Sequence, residues 1–79
     1  MIMTSPFELT YDQGLLLGQF TGAYADAHGH VILHAAHAGS LEAAVTGGQF
    51  KLPRPQPGVY WLVLRTSGEL LQFGPIEIE

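Results

Sequence analysis

The chain contains no cysteine and no asparagine, and its only lysine is Lys51. Without cysteine there can be no disulfide scaffold and no thiolate metal site. Charge is scarce altogether: Lys51, Arg54 and Arg65 stand against seven carboxylates (Glu8, Asp12, Asp26, Glu42, Glu69, Glu77 and Glu79), giving a formal net charge of −4. Three cations are too few to neutralise a run of phosphates, so nucleic acid is not an expected partner. No apolar run approaches the ~20 residues that a membrane-spanning helix needs. Residues 1–6 have neither a cationic segment nor a long apolar one, so they read as a flexible tail and not as a signal peptide.

The 79 residues suffice for one domain, residues 1–79, and they are apolar for that size. Apolar residues make up 47% and charged residues only 13%, about half of the ~25% usual in soluble domains. The mean hydropathy is +0.20. A domain this short buries only roughly 60% of its unfolded surface. Natural domains of this size lean on a disulfide, a metal or oligomerisation. With disulfides excluded and charge depleted, part of the surface is expected to face a partner instead of water.

Short alternating segments separated by turn residues run through the chain. Phe7-Glu8-Leu9-Thr10-Tyr11 has the period of a half-buried strand, and Asp12-Gln13-Gly14 reads as a turn. Residues 15–21 form the next strand, and its internal Gly18 marks a bulge or a close backbone approach. Asp26 and Gly29 suit the first and fourth positions of a type I turn, after which residues 30–35 resume as a strand. Residues 41–46 are ambiguous: Ser40 could cap a short helix, whereas Val45 and Thr46 prefer strand. Gly47-Gly48 is a break, and Gln49-Phe50-Lys51-Leu52 alternates again. Three prolines in 53–57 exclude a helix or a central strand there. The six consecutive apolar residues Val59-Tyr60-Trp61-Leu62-Val63-Leu64 predict a central strand buried on both faces. A hairpin turn at 66–69, a strand at 70–73, a bend at Gly74-Pro75 and a terminal edge strand Ile76-Glu77-Ile78-Glu79 complete the chain. Seven or eight short strands with no connection long enough for a crossover helix mean an all-β, antiparallel sandwich.

Residues 21–79 also carry a family resemblance. Tyr24-Ala25-Asp26-Ala27-His28-Gly29-His30-Val31 resembles the strand–D-x-x-G–strand hairpin of small prealbumin-like and immunoglobulin-like modules. Gly48-Gln49-Phe50-Lys51-Leu52-Pro53, followed by Pro57-Gly58-Val59-Tyr60-Trp61-Leu62-Val63-Leu64, is similar to their G-x-F-x-L-P…P-G-x-Y-x-L-x-V segment. Carboxypeptidase-regulatory-like domains, adhesin and pilin stalk repeats and secretion-sorting domains share this layout. The resemblance implies an Ig-like or prealbumin-like sandwich acting as a stalk, spacer, docking tag or virion appendage. The chain departs from some of these modules. Lacking asparagine, it cannot form their Lys–Asn isopeptide crosslink through Lys51, and it ends in Glu77-Ile78-Glu79 where sorting domains end in basic residues.

The histidines are the one concentration of chemistry-bearing side chains. On a helix His30, His34 and His37 would form an i, i+4, i+7 row able to hold zinc, with Asp26 or Glu42 as a further ligand. On a strand, His28, His30 and His34 share a face, and Gly29, Val31 and Ile32 favour that reading. The histidines are then a polar face or a pH-responsive contact, and no metal or cofactor is expected. Ser40, His37 and Glu42 are close in sequence, but there is no G-x-S-x-G elbow, and no catalytic residue is expected. Glu77 and Glu79 read as a solvated strand face. Tyr11, Phe20, Tyr24, Phe50, Tyr60, Trp61 and Phe73 could line a sugar-binding strip, although a domain this small needs its aromatics for its core. Adjacent Tyr60 and Trp61 point to opposite faces, so one anchors the core and the other suits a partner surface. The expected interface residues are Tyr60, Trp61, Ile76 and Ile78.

The expected function is a non-enzymatic structural or assembly module that associates with itself or with a larger protein assembly. A virion decoration, tail or fibre component, or an extracellular filament subunit, fits its size and charge. The alternative is a binding or sorting module that recognises a carbohydrate or a protein.

Overall fold

The computed structural model describes residues 6–36 and 39–79. Seven strands form two antiparallel sheets, with β1 (Phe7–Asp12), β2 (Leu15–Phe20) and β5 (Gln49–Pro53) in one. The other holds β4 (Ser40–Val45), β3 (Gly29–Ala35), β6 (Gly58–Arg65) and β7 (Leu70–Ile78), in the order β4-β3-β6-β7. The chain is an all-β sandwich, as the alternating segments predict. Residues 40–45, ambiguous in sequence, are a strand. Their β-branched end and their pairing with β3 override a short helix.

The inward faces meet in one core. Leu16 and Phe20 from β2, Val31 and Leu33 from β3, and Val45 from β4 are buried there. Phe50 and Leu52 from β5, Tyr60, Leu62 and Leu64 from β6, and Ile78 complete it. Alternation along each strand puts these side chains on one face of its sheet. Among the described residues no polar or charged residue other than Tyr60 is buried in this core. At one end Phe7 packs edge-on against Phe20 (5.9 Å) and Phe73 (5.5 Å), and Phe20 packs against Phe50 (5.6 Å). Such aromatic contacts add about 0.5–1.5 kcal/mol each beyond burial.

Three local readings change. The stretch after β2 is not a hairpin. Gly22–Tyr24 is a 3-10 turn, and the chain crosses there from the three-stranded sheet to the four-stranded one. Tyr24 ends that turn and packs onto the core, against Phe73 at 6.4 Å. Second, Gly74-Pro75 does not separate two strands. β7 runs unbroken from Leu70 to Ile78, and its register against β6 shifts between Tyr60 and Leu62, where β7 carries one extra residue. This bulge reconciles two alternations that are out of phase in sequence, so that Phe73 and Ile76 both turn inward. There are therefore seven strands and no eighth among the described residues. Third, the expected tail lies outside the described residues except for Pro6. The Pro6 carbonyl accepts a 2.8 Å hydrogen bond from the Thr21 N–H, which ties it to the sandwich.

Gly18 is a close approach and not a bulge, because its register with β1 and β5 is continuous. It stands opposite Phe50, whose ring occupies the space that a Cβ at Gly18 would take. Phe50 is only 3% exposed and cannot swing away. Gly18→Val should therefore destabilise the domain by about 1–3 kcal/mol through overpacking, read as a lower urea midpoint; an unchanged midpoint would show that the ring has room to move.

The C-terminal alternation reads as expected: Ile78 is buried, Ile76 packs against the core, and Glu77 and Glu79 are exposed. Ile78 alone contributes about 1.5–3 kcal/mol by burial. Deleting residues 75–79 also strips the partners of Gly58, Val59 and Tyr60 from β6. The truncated chain should be unfolded at room temperature by circular dichroism, and a native-like spectrum with a cooperative melt would refute this.

Candidate docking face

β6 is central to its sheet, paired with β3 on one side and β7 on the other. Its burial is nevertheless one-sided. Tyr60, Leu62 and Leu64 are in the core, whereas Trp61 and Val63 are half-buried and Val59 is 47% exposed. The six-residue apolar run predicts cover on both faces, and the described residues supply cover for one.

Cross-strand register assembles the other face. Ile32 stands opposite Val63, His34 opposite Trp61 and His30 opposite Arg65 on the β3 side. On the β7 side Gln72 stands opposite Val63, Glu77 opposite Val59 and Leu70 opposite Arg65. On β4, Ser40 pairs with His34 and Glu42 with Ile32. The result is an apolar strip, Val59-Trp61-Val63 with Ile32 beside it, and charges at its margins. Leu70, 70% exposed, extends the apolar area at the Arg65 end. Lone exposed apolar residues are ordinary, and interaction surfaces are found where apolar residues run together on one face.

Trp61 is held in place from two sides. The His34 ring stacks on it at 5.9 Å and 24°. On the other side lies the β7 bulge, where Gly74 has φ +140° and a Cβ would meet the Trp61 ring and the Tyr60 carbonyl. Only glycine combines that backbone angle with that proximity. Trp61 is thus a large aromatic side chain on a prepared seat, and fixing its rotamer beforehand lowers the entropic cost of burying it under a partner.

Beside Trp61, where β6 begins, lies a hollow of about 470 Å³ that includes Ala35, Pro57, Val59 and Trp61 in its lining. A hollow of about 260 Å³ on the opposite sheet is lined by Leu17, Gly18 and Phe50 together with Glu8, Gln19 and Lys51.

The expected site residues separate. Trp61 lies on the outer face. Tyr60 is only 7% exposed and Ile78 3%, so the domain's own core takes both and neither offers an interface. Ile76 packs partly against the core. The histidine row of a helix does not form, since His30 and His34 lie on a strand. They share its outer face at about 13 Å along the chain, with Ile32 between them. His28 precedes the strand, and His37 lies outside the described residues. Among the described residues no three His, Asp or Glu side chains are grouped as metal ligands. Ser40 and Glu42 share the outer face of β4. The aromatics do not make a strip. Phe20, Phe50, Phe73 and Tyr24 pack together, while Tyr11, under the Arg54 guanidinium at 4.4 Å, lies on the other sheet from Trp61. Among the described residues no helix is long and apolar enough to cross a membrane.

Compared with known proteins, the chain matches no family model, no curated protein and no solved structure.

One feature of Tyr60 was beyond reach of the sequence. Its hydroxyl donates a 2.6 Å hydrogen bond to the Gln56 carbonyl, closing the proline-rich crossing against the start of β6. Tyr60→Phe keeps the ring packing and removes this bond. The cost should be about 0.5–1.5 kcal/mol, measured by urea unfolding, and a variant as stable as the parent would show the bond to be idle.

Proposed function

We propose that the chain is a non-enzymatic assembly module, an Ig-like β-sandwich that works docked through the outer face of its four-stranded sheet. The observation that carries this is the half-covered central strand: Val59, Trp61 and Val63 form a fixed apolar strip on an otherwise complete domain. The low charge of the chain supports the same reading. The Ig-like assignment draws on the strand order, β1-β2-β5 against β4-β3-β6-β7, and on Tyr60. A tyrosine near the start of the sixth strand that bonds the backbone four residues upstream is the tyrosine corner of that class. A virion surface or an extracellular filament is the setting we propose for such a module.

A second reading, a module that binds a carbohydrate or a peptide, draws on the 470 Å³ hollow beside Trp61, which falls within the usual range for ligand sites.

Sedimentation velocity over a range of concentrations tests the assembly reading. The chain should sediment as species heavier than its 8.5 kDa monomer. Trp61→Thr should shift it toward monomer while leaving the circular dichroism spectrum unchanged. A wild-type chain that stays monomeric throughout would overturn the reading and favour the second one.

A further inference from the structure

We infer that the occupant of this face is a second copy of the chain, packed face to face about a two-fold axis, with Arg65 of each copy meeting Glu77 of the partner subunit. This rests on the assembly reading above and adds the partner's identity and its orientation.

Charge placement favours one orientation. Along β6 the outward positions are Val59, Trp61, Val63 and Arg65, and their midpoint is level with Leu62. The acidic end of the strip is Val59 with Glu77 across from it. The basic end is Arg65, with His30 across from it. Two sheet faces can be related by a two-fold axis lying in the interface in two ways. If the axis runs along β6, Arg65 lies over its own copy, which is repulsive. If the axis crosses β6 level with Leu62, each strand is reversed. Position 65 then lies over position 59, and position 61 over position 63. Arg65 comes beside the partner's Glu77, one strand away and within reach of two long side chains. Trp61 covers the partner's Val63. Glu42, level with Val63 in the sheet, comes over the level of the partner's Ser40 and the partner's His34, a hydroxyl and an imidazole that can both donate to it. The second arrangement thus sets each charged margin against a complementary group and keeps Trp61 against Val63 across the axis, whereas the first, which also overlays the apolar strip on itself, stacks Arg65 on its own copy.

Size sets the strength. The face measures about 20 by 20 Å from strand spacing and rise. Some 400 Å² per copy, or about 800 Å² in total, belongs to the weak, reversible class of interface. The association should therefore appear between about 10 μM and about 1 mM.

The test is charge exchange in the full chain, followed by sedimentation velocity over that range. Arg65→Glu places two carboxylates together at each end, and Glu77→Lys places two cations together. Each variant alone should weaken dimerisation about tenfold, since both symmetry-related contacts turn repulsive. An equimolar mixture of the two variants should recover association near the wild-type level. In the mixed pair the carboxylate introduced in one chain meets the ammonium introduced in the other, and at the opposite end the unaltered Glu77 meets the unaltered Arg65. Both positions are exposed, so the fold should be unaffected, and recovery in the mixture would itself require folded chains. Single variants that associate like the wild type would overturn the proposed orientation while leaving the assembly reading intact. So would single variants that weaken without recovery on mixing. A wild-type chain monomeric at about 1 mM, the weak end of that range, would overturn both.

Discussion

The structure depends on β6 and its pairing on both sides. The strand holds β3 and β7 to itself through two ladders, and its Tyr60, Leu62 and Leu64 side chains fill the middle of the space between the sheets. Its first residues are fixed by the tyrosine hydroxyl on the Gln56 carbonyl. Because a strand turns successive side chains to opposite faces, a run that is apolar at every position cannot serve one core alone. Tyr60, Leu62 and Leu64 are covered by the other sheet; among the described residues Val59, Trp61 and Val63 are only partly covered. The fold and the docking proposal are two faces of one strand.

Alternation made several strands legible, because those strands carry their own phase. In Gln49-Phe50-Lys51-Leu52 the inward residues are evident from polarity alone, and the structure buries Phe50 and Leu52. Gly18 was legible as either a bulge or a close approach, and only the continuous register and the Phe50 ring decide for the second. In β6 uniform apolarity hides the phase. Polarity does not say whether Tyr60 or Trp61 faces inward; in the structure Tyr60 does, together with Leu62 and Leu64, and its hydroxyl bonds the Gln56 carbonyl. The partition of strands between sheets was equally hidden. Asp26 and Gly29 fit a hairpin turn, yet the segment crosses between sheets, because pairing is set by long-range burial and not by turn chemistry. The bulge at Gly74-Pro75 was read as a break, since glycine and proline punctuate a strand in the same way whether it ends or only slips by one residue.

The outer face came from register. His34, Trp61, Val63 and Ile32 share no motif, and the two histidine-strand residues lie far in sequence from the two on β6, so cross-strand pairing alone places them together. The histidines illustrate the converse. Their spacing fits a helical zinc row, but on a strand the same spacing spreads His30 and His34 along one face, and His34 becomes the stacking partner of Trp61. The low overall charge belongs in the same picture: a face intended for water would carry charge in its middle, and here charge is confined to the margins.

The bulge in β7 also bears on edge-to-edge growth. β7 is an outer strand of its sheet, and a regular outer strand offers a neighbouring chain a continuous ladder of N–H and C=O groups. In β7 that ladder is interrupted midway. Pro75 has no N–H, and the extra residue throws the two halves out of step, so a flat incoming strand could match only one half at a time. Fibril-like extension through this rim is thereby discouraged, and the same irregularity that seats Trp61 on the broad side of the sheet steers contact away from the thin one.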